Sequence, residues 1–141
     1  MGRTAKDIGG LVKDLIATSD IETKKRIHKK ISGIAYKKGI YPASLHDFYL
    51  ARGKEGFGGF TVPAINLRSM TYDLARAIFR VAKRNNSGAF IFEIAKSEMG
   101  YTNQPPCEYA AVILAAAIKE GYQGPVFIQA DHTQVNVKKF K

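Results

Sequence analysis

The chain has 141 residues, 45% of them apolar, and a formal net charge of +10. That length gives one domain with room for a small appendage, and the apolar fraction excludes a disordered chain. No apolar run approaches the roughly 20 residues that cross a bilayer, and Met1-Gly2-Arg3-Thr4-Ala5-Lys6-Asp7 leads to no signal-peptide core. Position 6 is lysine, where a myristoylation signal wants serine or threonine. The single cysteine, Cys107, has no partner for an internal disulfide, so a reducing, cytoplasmic location and no membrane partner are expected.

The positive charge is concentrated in Lys24-Lys25-Arg26, Lys29-Lys30, Lys37-Lys38 and Lys138-Lys139. Such clusters suit nucleic acid, anionic lipid or phosphorylated small molecules, or simply form a solvated helix face. They carry no interleaved aromatic platform for single strands, so nucleic acid is not the expected partner.

In chain order, Ile8, Leu11, Val12, Leu15 and Ile16 make a helical stripe over residues 5 to 18. Ser19 or Asp20 caps a second helix, with Glu22 placed as in a capping box behind Ser19. That helix carries Ile27, Ile31, Ile34 and Ala35 on one face and lysines on the other, and Gly39 and Pro42 end it. Residues 1–40 thus read as a helical hairpin extension, too small to stand alone. A short helix follows Pro42, with Leu45, Phe48, Tyr49 and Ala51 as its apolar side. The glycine-rich Arg52 to Gly59 lacks the Gly-Lys-Ser/Thr ending of a phosphate loop.

From Phe60 the pattern changes. A strand is predicted over residues 62 to 67, with Pro63 at its start. An amphipathic helix spans Thr71 to Arg84, with Leu74, Ile78, Val81 and Ala82 in phase. A nearly all-apolar strand covers residues 89 to 95. A helix opens at Pro105-Pro106 and runs to about Glu120, with Tyr109, Val112, Ile113, Ala116 and Ala117 inward. A third strand covers residues 126 to 130. Strand, helix, strand, helix, strand predicts an α/β fold with a parallel sheet. Three strands leave an edge and a face bare, so Ile65, Phe92, Ile94 and Ile128 are expected to be under-covered.

Parallel strands place chemistry at their C-terminal ends. Those ends present Asn66, then Glu93, Ala95 and Ser97, then Asp131 and His132. A buried amide such as Asn66 must find partners or bond its own loop. Glu93, inside an apolar run, either serves the site or pairs with a neighbouring cation. Asp131-His132 offers a proton carrier and a metal ligand from one strand end, or a helix cap beside a surface imidazole.

The blocks Val62-Pro63-Ala64-Ile65-Asn66, Phe90-Ile91-Phe92-Glu93-Ile94-Ala95 and Pro125 to His132, at these separations, resemble the N-terminal part of class II, metal-dependent ketose-bisphosphate aldolases. Leu45 to Gly59 resembles that family's first helix and glycine turn. The resemblance implies that residues 41–141 form the first three β/α units of an incomplete TIM (β/α)8 barrel behind the helical extension. It implies a lyase of glycolysis and carbohydrate metabolism. The reaction would be reversible cleavage of a ketose bisphosphate, such as fructose 1,6-bisphosphate, to dihydroxyacetone phosphate and an aldehyde.

In this resemblance His132 matches a zinc ligand, Zn2+ being the implied cofactor, and Asp131 matches the catalytic aspartate. Asn66 lies at the edge of the pocket for a phosphorylated sugar. Ala95 stands where many members carry a phosphate-binding serine, leaving Ser97 to substitute for it, and Glu93 is a further candidate substrate contact. Gln129 stands where many carry histidine. The remaining ligands and the phosphate loops are expected from later strands, which makes the chain a fragment, inactive alone and homo-oligomeric when full length. The alternatives are a non-catalytic basic half-barrel that binds nucleic acid or a protein partner, and a phosphosugar-binding barrel of other chemistry.

Overall fold

The computed structural model describes residues 3–54 and 56–133, with side chains from Ile8 onward. Its helices are α1 (Arg3–Ala17), α2 (Ile21–Lys37), α3 (His46–Arg52), α4 (Thr71–Arg84), α5 (Lys96–Tyr101) and α6 (Pro106–Lys119). The strands are β1 (Ile40–Ala43), β2 (Ala64–Asn66), β3 (Ile91–Ala95) and β4 (Gly124–Asp131). All pairings are parallel, in the spatial order β1-β4-β3-β2. The chain is therefore an α/β protein, and β2, β3 and β4 are the three strands that the apolar runs predict.

The fourth strand is a correction. Pro42, which reads as a helix stop, lies inside β1, whose only partner among the described residues is β4. An edge strand tolerates a residue without an N–H. Proline also precedes β2, where the Pro63 carbonyl accepts from Ile91 N at 2.9 Å.

Parallel register sorts the side chains into two faces. Asn66 pairs with Glu93, Glu93 with Gln129, and Ala95 with Asp131, so these residues share one face. Ile40, Phe92, Ile94 and Val126 share the other and are buried in the main core with α4 and α6. The expectation of an under-covered face fails there: Phe92 and Ile94 are buried, while Ile65 and Ile128 are half-buried against the same core.

Helix α6 explains the coverage. Its residues from Glu108 to Ile118 are buried with the exception of Ala110, so this helix is enclosed rather than amphipathic. The sheet lies on one side of it, α4 beside it, and α1 and α2 over the rest. Ile8, Leu11, Val12 and Leu15 of α1 are buried as predicted, whereas Ile16 is exposed. In α2, Asp20 is the N-cap and accepts from Thr23 N at 2.9 Å, a role Ser19 does not take.

Helix α4 is rotated from its expected phase. Ala75, Phe79 and Ala82 are buried, while Leu74 and Val81 are exposed. Phe79 sets this register: its ring lies 5.7 Å from Phe90, 5.2 Å from Phe92 and 4.9 Å from Tyr122, centroid to centroid. No helix among the described residues is long and apolar enough to cross a membrane.

Candidate functional site at the strand ends

Parallel pairing brings the ends of β2, β3 and β4 to one edge of the sheet. The Asn66 amide stands between two carboxylates there. Its Nδ2 donates to Asp131 Oδ2 at 3.1 Å and to Glu98 Oε2 at 3.2 Å. One side chain thus ties the end of β2 to the end of β4 and to α5.

Glu98 is the most heavily bonded of the group. It sits at the third position of α5 and reaches back to accept from Ala95 N at 2.8 Å, which is half of a capping box. Its other oxygen accepts from Arg68 Nε, two residues past Asn66. The Ala95 N–H, with the Arg68 guanidinium next, holds the Glu98 carboxyl below its usual range. The same contact raises Arg68.

Sequence reading misses both residues. The signal for Glu98 is an acid three residues past a strand end, and for Arg68 a cation two residues past another.

Asp131 is partly buried, and its Oδ1 lies 3.3 Å from His132 Nε2. The imidazole is 86% exposed and His132 takes the left-handed conformation, φ +47°. For a residue with a Cβ that conformation costs about 1–2 kcal/mol. It turns the chain just where the strand delivers the acid.

Glu93 meets no cation among the described ion pairs. It accepts from Gln129 Nε2 on the neighbouring strand, and Gln129 Oε1 accepts from the Tyr49 hydroxyl of α3 at 3.3 Å. Tyr109 of α6 donates to the Glu93 backbone carbonyl at 2.7 Å, and burial pushes its phenol up. Glu93 and Gln129 therefore form a second polar pair, level with Asn66 on the same face of the sheet.

Ser97 is not a strand-end residue. The strand stops at Ala95, and Ser97 lies exposed on the first turn of α5, outside the hydrogen bonds described for the Asn66 group.

A catalytic zinc needs about three protein ligands and an open position. Among the described residues no group of three histidine, cysteine, aspartate or glutamate side chains converges to hold a metal. His28 lies on α2 and His46 on α3, neither of them at the end of β2, β3 or β4. The described residues do not make a zinc site by themselves; His132 is a single exposed imidazole at the end of β4.

Chemically, the edge offers a fixed amide, a partly exposed carboxylate hydrogen-bonded to it, and an open imidazole. That set can orient a hydroxyl and exchange a proton with it. Comparison of the chain with protein families, with curated proteins and with solved structures finds no match.

Proposed function

We propose that the chain is the N-terminal part of a class II ketose-bisphosphate aldolase, a cytosolic, homo-oligomeric enzyme whose barrel is completed by further β/α units. The observation that carries this reading is the Asn66 bridge. It gathers Asp131 and Glu98 at the C-terminal edge of a parallel sheet, the edge where such folds place their chemistry. The sequence blocks that resemble the family supply the same strand ends in the same order.

In this reading Asp131 accepts the proton of the substrate's C4 hydroxyl as the C3–C4 bond breaks, leaving that bond's electrons with the ketone fragment. In the reverse direction it returns the proton to the aldehyde oxygen. Asn66 holds the carboxylate in place, and Glu98 with Arg68 holds Asn66. Zinc, when bound, supplies Lewis-acid polarisation of the ketone. His132 contributes one ligand, with the others coming from outside the described residues. Asn66, Glu93 and Ser97 remain the candidate contacts for the phosphorylated sugar.

Calorimetric zinc titration tests the ligand assignment. The full-length protein should bind zinc tightly and lose that binding in His132→Ala, while the 141-residue chain binds weakly. Unchanged zinc affinity in His132→Ala would remove the metal role from this residue.

A further inference from the structure

Beyond the strand-end site, we propose that the outer face of α2 is a docking surface for the phosphate backbone of double-stranded nucleic acid. The face is fixed by packing. Ile27, Ile31 and Ala35 are buried in the core that includes α6, so Lys25, Arg26, Lys29, Lys30, Lys37 and Lys38 are held outward, all exposed.

The contrast with other helices is what makes this face unusual. On α4, Arg76 and Arg80 converge on Glu120, and Arg76 also meets Asp73. Lys24, at the inner edge of α2, is paired with Glu108, and Arg68 with Glu98. On the outer face of α2 only Lys25 has an acidic partner, Glu22; among the described residues no ion pair reaches the other five cations. An ordinary solvated face interleaves both signs of charge; here the acids, Asp20 near Arg26 and Glu22, are confined to the N-terminal turn, and none follows from Lys24 to Lys38.

The shape suits a polyanion. The helix has 17 residues and is about 25 Å long; its outward cations stand on two successive turns, Lys25-Arg26 and Lys29-Lys30, and again at the C-terminal end, Lys37-Lys38, with none between Lys30 and Lys37. Gly33 lies among them, exposed, with open space where a Cβ would be, so a backbone can approach closely there. Tyr36, 65% exposed at the end of the row, adds a hydroxyl donor that the sequence clusters conceal.

Two other partners fit less well. The face has no apolar centre of the kind a protein interface buries. The apolar side of α2 is already packed into the core and is not free to enter a lipid surface. One exposed ring is too few for a stacking platform, which favours duplex over single strand.

The test is fluorescence anisotropy with the 141-residue chain and a labelled mixed-sequence DNA duplex of about 20 base pairs, over a series of salt concentrations. Two variants carry the same net charge. One has Arg26, Lys29, Lys30 and Lys37 changed to glutamine; the other has Lys13, Lys54, Arg84 and Lys96 so changed. The α2 variant should bind at least about 10-fold more weakly than the control variant, and its log–log salt slope should shrink by about 3 to 4. Circular dichroism of both variants should match the parent. Equal losses in the two variants would overturn the proposal, since binding would then follow net charge alone. So would absence of duplex binding, or equal retention of both variants on phosphatidylserine vesicles with none on DNA.

Discussion

Glu98 accepts three donors through two oxygens, and each donor comes from a different segment: the end of β2, the loop after it, and the end of β3. Because its folded carboxyl titrates below the ordinary carboxylate range, its contribution to stability is complete above that range. It is lost as the pH falls through the lowered folded value. Glu98→Gln should therefore unfold with a flatter acid limb than the parent when urea midpoints are measured from about pH 7 to about pH 3. An unchanged limb would mean that the carboxylate is not held by these donors. Asn66, Asp131 and His132 were legible in the sequence because a polar residue that ends an apolar run announces itself. Glu98 and Arg68 were not, because their roles depend on α5. That helix has six residues, too few for any hydrophobic period to show.

At the scale of elements, three strands and the helices between them follow from composition and period, but phase and coverage do not. Helix α4 offers two apolar stripes about one residue apart, Leu74-Ile78-Val81 and Ala75-Phe79-Ala82. The choice between them is made by the rings of Phe90, Phe92 and Tyr122, which local sequence does not reveal. Phe79→Ala should cost about 3–5 kcal/mol of stability, and Leu74→Ala under about 0.5 kcal/mol. Comparable losses for the two in denaturant melts would contradict the rotated register. Strand β1 escaped because four residues containing Tyr41-Pro42 have no alternation to read, and its place is set by pairing with β4. The enclosure of α6 likewise depends on α1 and α2 landing on it. The sequence requires that hairpin to dock but does not say where.

At the scale of the whole molecule, β2 has β3 as its only strand partner among the described residues. Beside it runs an apolar groove of about 720 Å³, whose lining includes Phe60, Pro63, Ile65, Ile78, Val81 and Phe90. Free edges and apolar grooves invite association. The 141-residue chain should self-associate with rising concentration in sedimentation velocity, and Val81→Lys, at a 53% exposed position in the groove, should reduce it. A monodisperse parent would contradict this, and unchanged association in Val81→Lys would place the association surface elsewhere. In the proposed enzyme this edge is where the barrel closes and the strand-end group lies at the catalytic rim, and β1 has to give up its place beside β4 to the next barrel strand. In that enzyme Asp131, held by Asn66, moves the substrate proton in aldol cleavage. The most direct test of this role is a coupled assay of fructose 1,6-bisphosphate cleavage by the full-length, zinc-saturated protein and its Asp131→Ala variant. The parent should turn over measurably, and the variant should lose on the order of 100-fold or more of that turnover with its zinc content unchanged. No cleavage by the parent, or equal turnover in the two, would contradict it.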